Sequence, residues 1–307
     1  MKAIIEHISS SLSDLYGEDE TLALAWWIAE ELTGLTRTQL QFGCKDTKNI
    51  PNIQIDDPKL AEIIARLRCF DPIQYIFGHT LWAGLDLKLT PATLIPRPET
   101  AELVERLSTF NFPLSTAPVK VLDIGTGSGC IAIALKKRHP EWQITGIDIS
   151  AEAIEIAQEN ARRNNVEVNF LQADIFSDSI GKNLQSPISA LQYDLVVSNP
   201  PYICESEKSL MRPNVLNFEP ASALFVPDAD PLLFYRRIAS LFSNEALTGP
   251  TTNDRPPTTN DKFLFFEINE AYSVELSAML SGLGYTDIQI HNDIYGKPRI
   301  IQGRMAR

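Results

Sequence analysis

Asn199-Pro200-Pro201-Tyr202 follows directly on an apolar run, Tyr193-Asp194-Leu195-Val196-Val197-Ser198. The run has the length and the Val/Leu content of a buried parallel strand. Two prolines cannot continue a hydrogen-bonded ladder, so the strand must stop there in a stiff turn. Open α/β sheets put their ligands just outside the carboxyl ends of such strands. Asn199 has a side-chain carbonyl, Pro200 a backbone carbonyl beside a ring that fixes φ, and Tyr202 a flat aromatic face. Such a turn accepts two hydrogen bonds from a planar NH2 group while the ring packs on its plane. It suits an amide or an exocyclic amine. The four residues alone also fit an ordinary Pro-rich β–α turn, so the remainder of the chain has to decide.

A second constellation, Asp123-Ile124-Gly125-Thr126-Gly127-Ser128-Gly129, closes an earlier strand and opens a helix. Glycines let the backbone come close to a ligand, and a helix N-terminus offers free N–H groups. The dinucleotide fingerprint needs Gly or Ala at its sixth place, which here is Cys130, so that match fails. Gly-x-Gly-x-Gly preceded by an acid favours a ligand without a pyrophosphate. Asp148 ends the next strand, 23 residues after Gly125, where a carboxylate can take two hydrogen bonds from a ribose diol. Its competing role is to cap the helix that follows. Asp174, after the third strand, is placed to meet an adenine amine, with Ile175 or Phe176 over the ring; a plain β–α loop is the alternative.

These residues need a scaffold, and its outline is legible. Residues 1–70 read as helices, with Ile4, Ile5, Ile8, Leu12 and Leu15, then Leu22, Trp26, Ile28, Ala29 and Leu32, at three/four spacing. Another helix is predicted over 57–70, with Pro58 in its first turn. Trp26 and Trp27 read as core and surface anchors of a small bundle. Residues 71–96 change character, and the alternation Leu85-Asp86-Leu87-Lys88-Leu89 predicts a short hairpin linking two domains. Pro98-Glu99-Thr100 then starts a helix.

From there strands are expected at 119–124, 144–147, 168–171, 193–198 and 263–268. Helices are expected at 130–138, 151–164 (capped by Ser150), 232–242 and 271–283. Strands alternating with helices specify a doubly wound parallel sheet. The last two strands, 285–291 and 299–303, are close enough to pair antiparallel. The fold class expected is therefore α/β, a Rossmann-like domain over 97–307 behind a helical domain, 1–70, and a linker, 71–96. The tract 249–262, with Thr-Thr-Asn-Asp twice around Pro256-Pro257, reads as a polar surface loop.

Composition narrows the partners. The 307 residues are 44% hydrophobic and 21% charged, ordinary for a globular protein of two domains. The net charge of −12 argues against nucleic acid, because phosphate contacts call for a basic stripe. Lys136-Lys137-Arg138 sits at a predicted helix end, where cations suit the dipole. No run of about 18 apolar residues suggests a membrane span, and Glu6 interrupts the start, so no signal peptide is expected. Cys44, Cys69, Cys130 and Cys204 lack a paired spacing and read as reduced thiols. His7, His79, His139 and His291 lack metal-ligand spacing, so no metal is expected.

The glycine loop, Asp148 and Asn-Pro-Pro-Tyr, in this order and spacing, resemble the class I S-adenosylmethionine-dependent methyltransferases. More narrowly, the chain resembles the release-factor glutamine methyltransferases, the HemK-like protein-(glutamine-N5) enzymes. The likeness includes Pro72-Ile73-Gln74-Tyr75-Ile76-Phe77-Gly78 and Pro91-Ala92-Thr93-Leu94-Ile95-Pro96-Arg97-Pro98-Glu99-Thr100. It continues through Ser198-Asn199-Pro200-Pro201-Tyr202-Ile203 and Phe218-Glu219-Pro220.

The resemblance implies S-adenosylmethionine as cofactor, spent as S-adenosylhomocysteine, held by Gly125, Thr126, Gly127, Ser128, Gly129, Asp148, Asp174, Ile175 and Asn199. It implies catalysis by Asn199, Pro200 and Tyr202, with Pro201 beside them against the substrate. It further implies a cytoplasmic, monomeric enzyme that methylates the Gly-Gly-Gln glutamine of peptide chain release factors, gripped by the helical leader. Ile175 departs from relatives with an aromatic there, and the 249–262 tract is longer than their usual turn. Two other readings share the motifs: an amine methyltransferase of nucleic acid, and a non-catalytic S-adenosylmethionine-binding partner of translation.

Overall fold

The computed structural model describes residues 1–42, 54–110, 118–177, 193–243 and 261–305. They divide into two compact units, Met1–Gly78 with Arg212–Phe218, and His79–Met211 with Glu219–Arg307. The first is helical: α1 (Lys2–Leu12), α2 (Glu18–Thr33), α3 (Arg37–Phe42), α4 (Pro58–Arg68) and α5 (Ile73–Phe77). Ile8 and Leu12, Ala25 and Ile28, and Leu60 and Leu67 meet in its core with almost no exposure. Asp57 caps α4 by accepting from Lys59 N, with Pro58 in the first turn as the sequence suggests. Trp26 and Trp27 pack half-buried on this core. Arg212 reaches Glu20 of α2 at 3.1 Å, which joins the 212–218 segment to the helices.

The second unit opens with a hairpin, β1 (His79–Trp82) and β2 (Leu85–Lys88), turned through Ala83 and Gly84, both at positive φ. Beyond α6 (Pro98–Thr109), strands and helices alternate: β3 (Lys120–Ile124), α7 (Cys130–Arg138), β4 (Gln143–Asp148), α8 (Ala151–Arg163), β5 (Asn169–Gln172) and β6 (Leu195–Ser198). After β6 come a two-residue strand, β7 (Ile203–Cys204), the short helix α9 (Pro213–Leu216), which belongs to the first unit, and the short helix α10 (Ala221–Leu224). The chain ends with β8 (Phe225–Val226), α11 (Leu233–Ser243), β9 (Lys262–Glu267), α12 (Ser273–Gly282), β10 (Thr286–Asn292) and β11 (Pro298–Met305).

Seven strands make one sheet in the order β10-β11-β9-β6-β3-β4-β5. It is parallel throughout except for β11, which lies antiparallel between β9 and β10. The expected α/β sheet with an antiparallel terminal strand is what the chain forms. Apolar clusters cover both faces, one including residues of α6, α7 and α8, the other residues of α11 and α12. All four residues of β6 are buried, as a central parallel strand requires. β7 pairs parallel with β8, an arrangement that two-residue strands cannot announce by periodicity. Most of the polar tract at 249–262 lies outside the described residues.

Asn160 of α8 and Asn164, at the cap of that helix, dock the hairpin. Asn160, fully buried, accepts from Lys88 N (2.7 Å) and donates to the carbonyls of Lys88 (3.0 Å) and Ser128 (2.9 Å). Asn164 accepts from Asp86 N (3.2 Å) and donates to Asp86 O (2.9 Å). The side-chain amides thus satisfy backbone groups of an edge strand as a neighbouring strand would. Asn160→Ala is expected to destabilise the protein by about 3 kcal/mol, because it strands a buried N–H and two carbonyls at once. Urea unfolding of the variant beside the wild type, with the slope unchanged, is the measurement; equal midpoints would count against this docking role.

Candidate active site

The sheet register lines up the site. Ile124 of β3 pairs with Ile147 of β4 and with Ser198 of β6, and Ser198 pairs with Phe266 of β9. The next residue in each strand therefore forms a row across the carboxyl edge of the sheet: Asp148, Gly125, Asn199 and Glu267. Three of the four were singled out in the sequence. Glu267 was not.

The glycine loop is tied to β4. Gly125 N and Thr126 N both donate to Ile147 O at 2.9 Å, and Gly127 N donates to Asp148 Oδ2 at 2.9 Å. Gly125 and Gly127 have φ of +70° and +53°, and a Cβ on either would meet nothing within 4 Å. Backbone strain, not crowding, demands glycine there, and the space beside the loop is open. At Gly129 (φ +80°) a Cβ would stand 3.0–3.1 Å from Ile133, Ala157 and Phe170. Gly146, inside β4, escaped the sequence reading; its Cβ would fall 2.6 Å from Phe170 and 2.8 Å from Thr126 Oγ1. A glycine in a strand pattern was the available signal, since it marks a close approach.

Thr126, Ser128 and Gly129 are buried and build the loop, whereas Gly125 and Gly127 line the cleft beside it. Thr126 Oγ1 donates to Asp123 Oδ2 at 2.7 Å. Asp123 is fully buried, and burial pushes its carboxyl up to about 7 against that hydrogen bond. Asp123 Oδ1 and Ser128 Oγ are buried with no partner. The open space beside Gly125 and Gly127, with the Asp148 carboxylate on its rim, fits a polar ligand such as the amino acid end of a nucleoside cofactor.

Asp148 is half-buried, and each of its oxygens takes one backbone N–H, Gly127 N on one and Ser150 N (2.9 Å) on the other. A carboxylate has about four acceptor sites, so capacity for a diol remains. Ser150, not Asp148, caps α8, accepting from Ala153 N at 3.2 Å. Asp174 accepts from Phe176 N at 2.8 Å, and Arg237 Nε donates to Ile175 O at 2.6 Å, which stiffens the loop after β5. Phe176 packs edge-on to Phe234 at 5.3 Å.

Gly125, Gly127, Asp148, Asp174, Ile175, Asn199, Pro200 and Pro201 all line one cleft of about 870 Å³, part of it open to solvent and wholly within the second unit. Sequence reasoning missed the apolar wall supplied by Phe234 and Ile238 of α11, and the 92–94 segment. Those residues read as helix core and as linker.

Tyr202 does not line this cleft. Its hydroxyl donates to Glu267 Oε1 at 3.2 Å, and its carbonyl accepts from Asn269 Nδ2 at 3.2 Å. Thr100 Oγ1 donates to Glu267 Oε2 at 2.6 Å, and Asn199 Nδ2 donates to Thr100 Oγ1 at 3.2 Å. Burial raises the Glu267 carboxyl, while the Thr100 and Tyr202 hydroxyls and the charge of Arg299 pull it down. Burial, with Glu267 alongside, holds the Tyr202 hydroxyl far above the ordinary phenol range. Glu219, nearly buried, pairs with Arg97 at 2.6 Å and accepts from Ile95 N at 3.2 Å, securing the segment that leads into α6. Cys204 is a buried filler in contact with the Tyr272 hydroxyl at 3.4 Å. Among the described residues no group of three His, Cys, Asp or Glu side chains is gathered for a metal, and no helix is long and apolar enough to cross a membrane.

A mostly parallel sheet with one antiparallel strand near its edge, and a glycine loop beside a polar row at the strand ends, define a class I methyltransferase domain. Residues 100–215 match the Methyltransferase small domain family. The chain is 40% identical over 301 residues to the release factor glutamine methyltransferase of Bacteroides thetaiotaomicron, covering 98% of this chain and 99% of that protein. It is 36% identical over 296 residues to that of Flavobacterium psychrophilum, covering 95% and 94%. The solved hMettl16 catalytic domain superposes with a TM-score of 0.50 at 15% identity, covering 82% of this chain and 92% of that one, a likeness of fold alone. The chain belongs to the release factor glutamine methyltransferase family.

The buried Asp123 generates a pH dependence. Its pKa is about 7 in the folded protein against an ordinary 3.8, so between these values the folded state keeps a proton that the unfolded state has lost. Stability therefore falls as pH rises through that window and levels off above it. Asp123→Asn cannot titrate. The stability of the wild type minus that of the variant is expected to fall between pH 4.5 and 8, by about 1.4 kcal/mol for each unit of pKa difference at most. Urea midpoints at three pH values test this; a difference independent of pH refutes it.

Proposed function

We propose that the protein transfers the methyl group of S-adenosylmethionine to the side-chain amide nitrogen of the glutamine in the Gly-Gly-Gln motif of peptide chain release factors. The observation that carries this reading is Asn199: it lines the cleft while its NH2 donates to Thr100, so its carbonyl oxygen would be the group offered to a substrate. S-adenosylmethionine supplies an electrophilic methyl on a sulfonium. Asp148 would hold its ribose, the Gly125–Gly129 loop its amino acid end, and Asp174 with Ile175 its adenine.

An amide nitrogen is a poor nucleophile, because its lone pair is delocalised into the carbonyl. Asn199 Oδ1 and the Pro200 carbonyl would accept from the substrate NH2, orient it and push electron density onto nitrogen. As nitrogen gains the methyl and the carbon–sulfur bond breaks, it becomes more positive. Both acceptors then bind it more strongly, which stabilises the transition state selectively. The proton leaves to water afterwards, so no strong base is required. Tyr202 would act from behind the turn, its hydroxyl anchored on Glu267 rather than its ring packed on the substrate. The helical unit, with no other evident task, would grip the release factor. On this reading the enzyme works as a monomer in the cytoplasm, where termination occurs, and the net charge of −12 disfavours nucleic acid as substrate.

The test is mass spectrometry of release factor after incubation with the protein and labelled S-adenosylmethionine. Label on the Gly-Gly-Gln glutamine is expected; label on DNA or RNA alone, or none, rejects the reading. Asn199→Ala should lower the rate about 10²–10³-fold while cofactor binding persists, since one transition-state acceptor is gone. Asp148→Ala should weaken S-adenosylmethionine binding more than about tenfold by calorimetry, through loss of a charge-assisted contact. Unchanged affinity would remove Asp148 from the cofactor site.

A further inference from the structure

Both ends of the Asn-Pro-Pro-Tyr turn hang on one carboxylate. Glu267 closes β9, the neighbour of β6, and is 1% exposed. Its Oε1 receives the Tyr202 hydroxyl and its Oε2 the Thr100 hydroxyl, and Thr100 in turn receives the Asn199 NH2. Thr100 is itself 2% exposed, in the first turn of α6. The main-chain oxygen of Glu267 accepts from the Tyr235 hydroxyl at 3.1 Å, which pins the backbone behind the carboxylate.

Proton counting gives this chain a direction. A threonine or tyrosine hydroxyl has one proton to donate. Tyr202 and Thr100 each spend theirs on Glu267, so Thr100 can only accept from Asn199. Asn199 must then turn its NH2 inward and its carbonyl oxygen outward. Reverse the first bond and the sequence reverses: a donor at position 267 would make Thr100 donate onward, and Asn199 would present NH2 to the cleft. Two acceptors, Asn199 Oδ1 and the Pro200 carbonyl, suit a substrate NH2. A donor in place of the first would repel it.

We propose that Thr100 and Glu267 are positioning residues that set the polarity of Asn199, and so make the site select a side chain that offers two N–H donors. The proposal rests on the function proposed above. Neither residue touches the reacting atoms; both act through Asn199.

Steady-state methylation of release factor by the full-length protein, comparing wild type with Thr100→Val, Thr100→Ser and Glu267→Gln, tests it. Thr100→Val keeps the volume and removes the hydroxyl. It should lower kcat about tenfold to a hundredfold with the KM for S-adenosylmethionine within about twofold, because only an interaction made at the substrate nitrogen is lost. Thr100→Ser restores the hydroxyl and should recover most of that loss. Glu267→Gln leaves one acceptor oxygen for two hydroxyls, so either Tyr202 or Thr100 loses its anchor, and kcat should fall at least a fewfold with cofactor binding intact. Thermal unfolding and calorimetric cofactor binding accompany each variant, and the Thr100 pair decides alone if Glu267→Gln does not fold. Wild-type kcat in a folded Thr100→Val, or equal damage in the Val and Ser variants with cofactor binding intact, overturns the proposal while leaving the function standing. A wild type that does not methylate release factor overturns both.

Discussion

The site depends on the register of four parallel strands. Because Ile147, Ile124, Ser198 and Phe266 are aligned partners across β4, β3, β6 and β9, the four residues that follow them emerge side by side. A slip of one position in any strand would turn its side chains to the opposite face and break the row. The slip is resisted from both sides: β6 is buried along its length, as is β9, and β3 is buried at all but its first residue. Apolar packing on two faces thus fixes, to within a hydrogen-bond length, where polar groups stand on the rim. Core and chemistry are one constraint seen from two ends.

That arrangement asks for buried polar atoms, which are costly unless they are paired. Most of those near the site are paired with backbone or with each other: Ser198 Oγ with Ile124 O at 2.6 Å, Asn160 with three main-chain groups, Glu219 with Arg97 and Ile95. The exceptions, Asp123 Oδ1 and Ser128 Oγ, sit behind the glycine loop. Both lie in the buried layer that supports the loop, where the Asp123 carboxyl is held up by burial.

The parts of the site that could be read from the chain are those written in consecutive residues. Gly125–Gly129 and Asn199–Tyr202 announce a tight turn by composition, and the strands before them by apolar runs; the cleft gathers Gly125, Gly127, Asp148, Asp174, Ile175 and Asn199. What stayed hidden is long-range. Thr100 and Glu267 are 167 residues apart, and Glu267 reads as the polar end of a strand, Thr100 as a helix start. Asn160 reads as a polar position on an amphipathic helix, yet its partner Lys88 is 72 residues away. The wall from Phe234 and Ile238 belongs to a helix whose apolar face predicts only core. Periodicity reports which face is buried; it says nothing of which distant residue the face will meet.

The two prolines add an argument that Asn199 alone does not make. A turn of ordinary residues brings N–H groups as well as carbonyls to the rim, and a donor there would compete for the same lone pairs as a substrate NH2. Pro200 and Pro201 have no N–H to offer. With one N–H of the Asn199 amide directed to Thr100 and the Tyr202 hydroxyl spent on Glu267, the turn has lost two donors to covalent chemistry and has turned two more away from the cleft. Acceptors remain. On the proposed reading the strength of this site lies in that subtraction: a weakly nucleophilic amide is held by groups that can only accept from it, and their pull grows as its nitrogen gains positive charge.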